Sequence, residues 1–188
     1  MAELESEIGI HSTYYTLLST DLYNIFSENN VKALKNIIRL GHDIGLHFDE
    51  QKYSGLGISE LQKEIIKEAN ILRCATGSAV YSVSMHKPSK TMLESNIHIE
   101  GLINSYSTKF FKEYKYVSDS RMNWREDIID IITSGNHSKL HILTHPYWYS
   151  ETKENLKDKL IKLIADASKI RSRDLKETYE EVGELGAQ

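Results

Sequence analysis

Histidines stand at the ends of three short segments whose β-branched and aromatic residues are typical of strands: His47, His86 and His145. Because the carboxyl ends of parallel strands meet at one edge of a sheet or one mouth of a barrel, we expect these side chains to converge there. Imidazole and carboxylate are ligands that suit zinc and related divalent metals, which can activate water for hydrolysis. Other polar or aromatic residues that follow predicted strands are Asp49, Glu50, Lys87, Asn104, Ser105, Asp119, Arg121, Trp124, Tyr147 and Trp148.

The elements that must position these residues alternate between strand and helix about six times, without a linker or a repeat. This alternation predicts a single α/β domain over residues 1–188, with a mostly parallel sheet or a barrel. Residues 1–9 predict the end of a helix, Asn29 and Asn30 a helix cap, and Ser59 another cap. Predicted strands cover 12–18, 43–47, 79–84, 101–104, 116–118 and 140–144. Predicted helices cover 31–40, 59–75, a short stretch near Met92, 107–114, 125–134 and about 152–180.

Composition narrows the class of protein. The 188 residues carry 23 Lys+Arg against 27 Asp+Glu, so there is no basic excess to bind nucleic acid or an anionic membrane surface. The single cysteine, Cys74, cannot form an intrachain disulfide, and Met1 is not followed by a basic segment and an apolar run. We therefore expect a soluble, cytoplasmic chain without a membrane span.

Simpler interpretations exist for the same residue types, since a single histidine at a strand end is most often a hydrogen-bonded structural residue. His42 and Asp43 open their strand and are expected to be structural, and His141 inside the last strand is expected in the core. Cys74 is expected to be a small buried side chain. The histidines expected in solvated loops are His11, His98 and His137.

Four segments, in order along the chain, resemble the motifs of the polysaccharide deacetylase family, carbohydrate esterase family four. Gly41-His42-Asp43-Ile44-Gly45-Leu46-His47 is similar to the second motif, G-H-E-I-G-x-H. Ser84-Met85-His86-Lys87-Pro88-Ser89 resembles the third motif, in a form associated with a subgroup near polysaccharide biosynthesis genes. Ser118-Asp119-Ser120-Arg121, continuing to Trp124, resembles the fourth, and Leu143-Thr144-His145-Pro146 the fifth. The resemblance extends from residue 1 to about 165.

The resemblance implies a distorted (β/α) barrel and hydrolysis of an acylated saccharide at a carbon–nitrogen or ester bond. A divalent metal, zinc by expectation, would be held by His47 and His86 and would polarise the acyl carbonyl and a bound water. His145 would protonate the leaving amine or alkoxide, oriented by Asp119. Residues that could line the sugar site are Arg121, Trp124 and Trp148.

Two departures from the family pattern bear on activity. The second histidine of the second motif, four residues after the first, is replaced here by Gln51, so a substitute ligand would come from His86 or from Asp49. The first motif, an Asp pair that supplies the base and a ligand, is expected upstream of the helix in which this chain begins. We therefore expect the first strand to be missing, leaving exposed strand edges that favour a homo-oligomer.

Two further functions fit the same residues. A non-catalytic module that binds a saccharide or a partner would keep the barrel without the chemistry, as Gln51 and the absent first motif favour. A different metal-dependent barrel hydrolase, with its own order of ligands, would also use these histidines.

Overall fold

The structure is a computed structural model that describes residues 1–179. These residues form two compact units. The first contains Met1–Val117 and Glu126–Ile142, and the second contains Ser118–Arg125 and the described residues from Leu143 onward. The prediction of one deacetylase-like domain over residues 1–188 stays a prediction.

A four-stranded parallel sheet is the centre of the first unit. Its strands, in spatial and chain order, are β1 (Thr13–Leu17), β2 (Asp43–Phe48), β3 (Ser82–Met85) and β4 (Ile103–Asn104). Strand β2 is almost continuously buried, as expected of a central parallel strand covered by helices. The helices α2 (Glu28–Arg39) and α3 (Ile58–Thr76) pack against it.

The remaining elements are shorter, apart from the last helix. A two-stranded sheet pairs β5 (Lys115–Ser118) with β6 (Leu140–Leu143). The long helix predicted over about 152–180 is observed as α7, Leu156–Thr178. The other helices are α1 (Ala2–Glu7), α4 (Lys90–Glu94), α5 (Thr108–Lys112) and α6 (Ile128–Thr133), with 3₁₀ turns at Glu50–Tyr53, Ser120–Met122 and Pro146–Trp148.

The core of the first unit contains Leu46, Phe48, Ile65, Leu72 and Val83, all buried at the contact of α3 with the sheet. Gly45 lets an aromatic ring lie across β2: a Cβ at this position would stand 2.5 Å from Cε1 of Tyr15. That distance is far inside van der Waals contact, so any larger residue would displace the ring. The ring of Tyr15 thus packs against the backbone of β2 at Gly45.

The α/β class and the parallel pairing confirm the sequence prediction, whereas the barrel stays a prediction. Among residues 1–179 the strands form two separate hydrogen-bonded sheets and no closed one. The strand expected upstream of Met1 also stays a prediction. Within the described part of the chain, no helix combines the length and apolarity that crossing a membrane requires.

Three local predictions are wrong. Asn29 and Asn30 lie inside the first turn of α2, whose N-cap position is Ser27. Gly57, rather than Ser59, is the N-cap of α3, and its backbone N–H donates to the carboxylate of Glu60 at 2.9 Å. Cys74 is exposed instead of buried, because it lies on the outer face of α3.

Candidate functional site

The imidazoles of His47 and His86 face each other in the first unit. His86 Nδ1 and His47 Nε2 are 3.1 Å apart, at hydrogen-bond distance, and the rings meet edge to face with centroids 5.0 Å apart. One of the two nitrogens must carry the hydrogen that the other accepts. The predicted proximity of these two strand-end histidines is therefore observed.

Parallel pairing of β2 with β3 brings these two histidines together. His47 is in register with Ser84, and the backbone N–H of His86 donates to the carbonyl of Phe48 at 2.7 Å. Beyond the histidines, the carboxylate of Glu50 accepts hydrogen bonds from the backbone N–H and the hydroxyl of Ser89. The loops that follow the two strands are thereby linked to each other.

The electrostatic surroundings of His86 favour its neutral form. Burial is the largest cause and lowers the pKa of the His86 imidazole below its usual value. The charge of Asp49 opposes this change, and the charges of Lys87 and Lys52 add to it. A neutral imidazole has a free nitrogen lone pair, which is the form that binds a metal.

The His47–His86 pair fits part of a metal site. Two nitrogens that bind zinc at about 2.0–2.1 Å in tetrahedral geometry stand about 3.3 Å apart, close to the observed separation. A catalytic zinc commonly has three protein ligands. Over residues 1–179 no cluster of three His, Cys, Asp or Glu side chains is present, so Asp49 does not complete the set. Residues 1–179 thus bring two imidazoles together without a third ligand beside them.

A buried carboxylate holds the imidazole of His145 in the second unit. Asp119 is 2% exposed, and its Oδ1 lies 2.6 Å from His145 Nδ1. The backbone N–H of His145 also points at the carboxylate, 3.1 Å from Oδ1 and 3.0 Å from Oδ2. The backbone N–H of Asp119 donates to the carbonyl of Leu143 at 3.2 Å, which sets the two chain segments side by side.

This arrangement fixes the tautomer of His145. An ionised carboxylate only accepts hydrogen bonds, so Nδ1 of His145 carries the hydrogen. The other ring nitrogen, Nε2, is then the atom that can accept or deliver a proton. The side chain of His145 is 42% exposed although its partner is buried. A substrate could therefore approach the ring.

Two aromatic residues after His145 complete this group. The ring of Trp148 lies 6.0 Å from that of His145 between centroids, and its buried Nε1 has no hydrogen-bond partner among the described residues. The hydroxyl of Tyr149 donates to Oδ2 of Asp119 at 3.0 Å. Sequence reasoning missed Tyr149. Its position four residues after His145, in a run of three aromatic residues, was the available signal.

The other two predicted sugar-site residues also belong to the second unit. Arg121 lies within the 3₁₀ turn that follows Asp119 and is exposed. Trp124 lies two residues after that turn and is half-buried. Arg121 and Met122 have φ values of +60° and +58°, which only a small fraction of non-glycine residues adopt. The structure thus pairs His47 with His86 and Asp119 with His145. Convergence of these pairs at one mouth, and a sugar site lined by Arg121, Trp124 and Trp148, stay predictions.

The histidines expected to be structural or solvated are found so. His42 is buried: its Nδ1 accepts from the backbone N–H of Ser12 at 3.2 Å, and its Nε2 lies 2.8 Å from the carbonyl of Ala2. His141 is half-buried among three aromatic rings. The exposed histidines are His11, His98 and His137.

Comparison with known proteins finds similar solved structures, among them the two that follow. No protein-family model and no curated protein matches the sequence. Both are crystal structures of BA3943 mutants, described as a CE4 family pseudoenzyme, and one of the mutants has restored enzymatic activity. Identity is 12% for that mutant and 13% for the other structure, each with a TM-score of 0.45 and 90% of this chain covered. The chain spans 56% of the length of those chains.

Proposed function

We propose that this chain is a deacetylase-like hydrolase domain, of the polysaccharide deacetylase barrel type, that removes an acyl group from a saccharide. The observation that carries the proposal is the Asp119–His145 pair, in which a buried carboxylate holds an accessible imidazole in one tautomer. The resemblance of four motifs to the polysaccharide deacetylase family adds the substrate class. The subgroup associated with polysaccharide biosynthesis genes is part of the same proposal.

In the proposed reaction, His145 acts as the general acid. Water adds to the acyl carbon with loss of a proton. As the bond from that carbon to the departing amine nitrogen or alkoxide oxygen breaks, doubly protonated His145 gives the departing atom the hydrogen on Nε2, and the acyl group leaves as a carboxylic acid. The imidazole is left neutral, with Nδ1–H still bonded to Asp119 Oδ1. Asp119 therefore keeps Nε2 directed at the leaving group throughout the transfer.

His47 and His86 would hold the divalent metal, for which zinc is the leading candidate. When bound, such a metal polarises a carbonyl and lowers the pKa of its water. The two facing nitrogens fit this role, and the missing third ligand predicts weak binding. Trp148, beside His145, and the indole of Trp124 would offer flat surfaces for a sugar ring, with Arg121 as a hydrogen-bond donor.

The finding of two ligands and no third within residues 1–179 is compatible with a second function. A module that binds a saccharide without hydrolysing it needs the aromatic residues near His145 and has no use for a complete metal site. Under this alternative the chain binds acylated sugars with an affinity that is independent of zinc.

The deciding experiment is release of acetate from N- and O-acetylated oligosaccharides by the full chain with added zinc. We expect turnover that is abolished in His145→Ala, while circular dichroism shows an unchanged fold. Turnover that is unaffected by His145→Ala would refute the role of His145. Sugar binding without any acetate release by the wild-type chain would favour the binding module.

A further inference from the structure

The carboxylate of Asp119 has a third hydrogen-bond donor besides the two that His145 provides. The hydroxyl of Tyr149 lies 3.0 Å from Oδ2, the oxygen opposite the one that binds the imidazole. The ring of Tyr149 is largely exposed, so its hydroxyl reaches inward to a carboxylate that is almost fully buried. The hydrogen bond to Oδ2 of Asp119 therefore gives Tyr149 a contact beyond packing.

The donor from Tyr149 matters because the other anchors leave the carboxylate free to turn. The backbone N–H of His145 is shared almost equally between Oδ1 and Oδ2, at 3.1 and 3.0 Å, so it does not by itself fix the tilt of the carboxylate plane. The two oxygens are chemically equivalent, and donors on both of them fix that plane: Tyr149 holds Oδ2 while Nδ1 of His145 holds Oδ1. We propose that Tyr149 is a positioning residue that orients the Asp119 carboxylate toward the imidazole of His145.

Two properties of Tyr149 suit it to this role. Burial and the neighbouring Asp119 raise the pKa of the Tyr149 phenol to about 12, so the hydroxyl remains a donor throughout the neutral range. The backbone N–H of Tyr149 donates to the carbonyl of Pro146 at 3.2 Å, which closes the 3₁₀ turn between His145 and Tyr149. The imidazole and the phenol thus reach the same carboxylate from the two ends of one short turn.

Tyr147 provides a matched control in the same turn. Its hydroxyl donates to the backbone carbonyl of Lys159 in α7 instead of to Asp119. The ammonium of Lys159 is buried and donates to the hydroxyl of Ser150 at 2.7 Å, so Tyr147 and Lys159 join the segment after the turn to α7. Loss of the Tyr147 hydroxyl would loosen this join and leave the carboxylate untouched.

The test is the exchange rate of the Nδ1 proton of His145 with water, measured by NMR on the full chain labelled with ¹⁵N-histidine. We expect this rate to rise at least fivefold in Tyr149→Phe, because the turned carboxylate no longer protects the proton. Tyr147→Phe should change it less than twofold. An unchanged rate in Tyr149→Phe, or an equal increase in both variants, would overturn the proposal.

The consequence of Tyr149 for turnover rests on the proposed function, whereas the proton exchange does not. If the chain is a hydrolase, Tyr149→Phe should lower kcat by about tenfold with little change in KM, because the positioned imidazole acts in proton transfer and not in sugar binding. A wild-type chain without turnover, in which the exchange rates still differ as expected, would refute the hydrolase and keep the role of Tyr149. Turnover by the wild-type chain, together with exchange rates that are the same in both variants, would keep the hydrolase and refute the role of Tyr149.

Discussion

The first unit holds the His47–His86 pair and the second the Asp119–His145 pair, and the two pairs differ in what faces the imidazole. In the first unit His86 faces the imidazole of His47, and in the second His145 faces the carboxylate of Asp119. Of the two facing nitrogens, 3.1 Å apart, one carries a hydrogen, and a change of tautomer in that ring would leave two lone pairs that a cation could share. In the second pair the carboxylate of Asp119 accepts the hydrogen bond from Nδ1 of His145 and so keeps a hydrogen on that nitrogen. The first pair is therefore suited to binding a metal and the second to moving a proton.

The pairs also differ in what holds them. The carboxylate of Asp119 accepts from a ring N–H, a backbone N–H and a phenol, so its neighbours depend on it for their hydrogen bonds. The partners of His86 in the described chain are its backbone bond to Phe48 and the contact with His47. Loss of a side chain should therefore cost much more stability in the second pair than in the first.

The largest expected effect is on the stability of Asp119→Ala. Removal of a buried carboxylate leaves three donors without their acceptor, and we expect the free energy of unfolding to fall by about 2–3 kcal/mol. Both tryptophans, Trp124 and Trp148, lie in the second unit, so urea denaturation followed by tryptophan fluorescence reports on it.

Two variants make this comparison strict. Asp119→Asn keeps one acceptor oxygen and should cost less than Asp119→Ala. His86→Ala, followed by far-UV circular dichroism, should cost less than about 1 kcal/mol, because its side chain is half-exposed. Equal losses of unfolding free energy in Asp119→Ala and His86→Ala would contradict the inference that the second pair contributes more to stability than the first.

The sequence predicted the elements well because each has a local signal. The apolar run of β2 and the spacing of apolar residues in α2 and α3 depend on near neighbours, and those elements are found within a few residues of the predicted positions. The cap of α3 was misplaced because Ser59 is a typical capping residue, whereas the cap is Gly57, which has no side chain to signal it. Cys74 was expected inside because its type is often buried, but the face of a helix is decided by tertiary packing.

The candidate site was only partly predictable for a similar reason. The proximity of His47 and His86 was predictable because each follows a predicted strand, and the carboxyl ends of parallel strands meet at one edge of a sheet. The contact of Asp119 with His145 joins positions 26 residues apart and needed the family resemblance as a guide. The run of aromatic residues after His145 was the one local signal for Tyr149, and it gives no sign that the hydroxyl of Tyr149 reaches a buried carboxylate.

Substitutions in the His47–His86 pair should lower zinc affinity about tenfold or more, and a substitution in the Asp119–His145 pair should not. We expect His47→Ala and His86→Ala each to weaken zinc binding at least tenfold, measured by competition with a chromogenic chelator, because each removes one of two ligands. His145→Ala should stay within twofold of the wild-type chain. A comparable loss of zinc affinity in His145→Ala would contradict the assignment of metal binding to the His47–His86 pair alone.

A third ligand should strengthen the first pair by a similar factor. The family that the chain resembles has a histidine where Gln51 stands, four residues after His47, so Gln51→His would complete a set of three imidazoles. We expect zinc affinity to rise about tenfold in the same competition assay. Lys52→His, at the neighbouring position, is the control and should change the affinity little. An equal gain from both variants would show only that any added histidine attracts zinc.

The smallest effect expected is acid sensitivity of the first unit. Burial is the main cause that lowers the pKa values of His86 and of His141 below the ordinary histidine value of about 6.5, and the charge of Asp49 offsets it only in part for His86. The unfolded chain therefore takes up these protons first as the pH falls. Their contribution to stability is complete above about pH 6.5 and is lost as the pH falls toward the folded pKa values.

We accordingly expect the urea midpoint, followed by circular dichroism at 222 nm, to decline between about pH 7 and pH 5, and to decline less steeply in His86→Gln and in His141→Gln. Glutamine keeps a polar group at each position and removes the titration. His86→Gln should also weaken zinc binding, whereas His141→Gln should not, because His141 lies among aromatic rings instead of facing His47. Equal slopes in the wild-type chain and in both variants would mean that burial does not set the charge of these rings, and the contrast between a metal-binding pair and a proton-moving pair would then rest on hydrogen bonding alone.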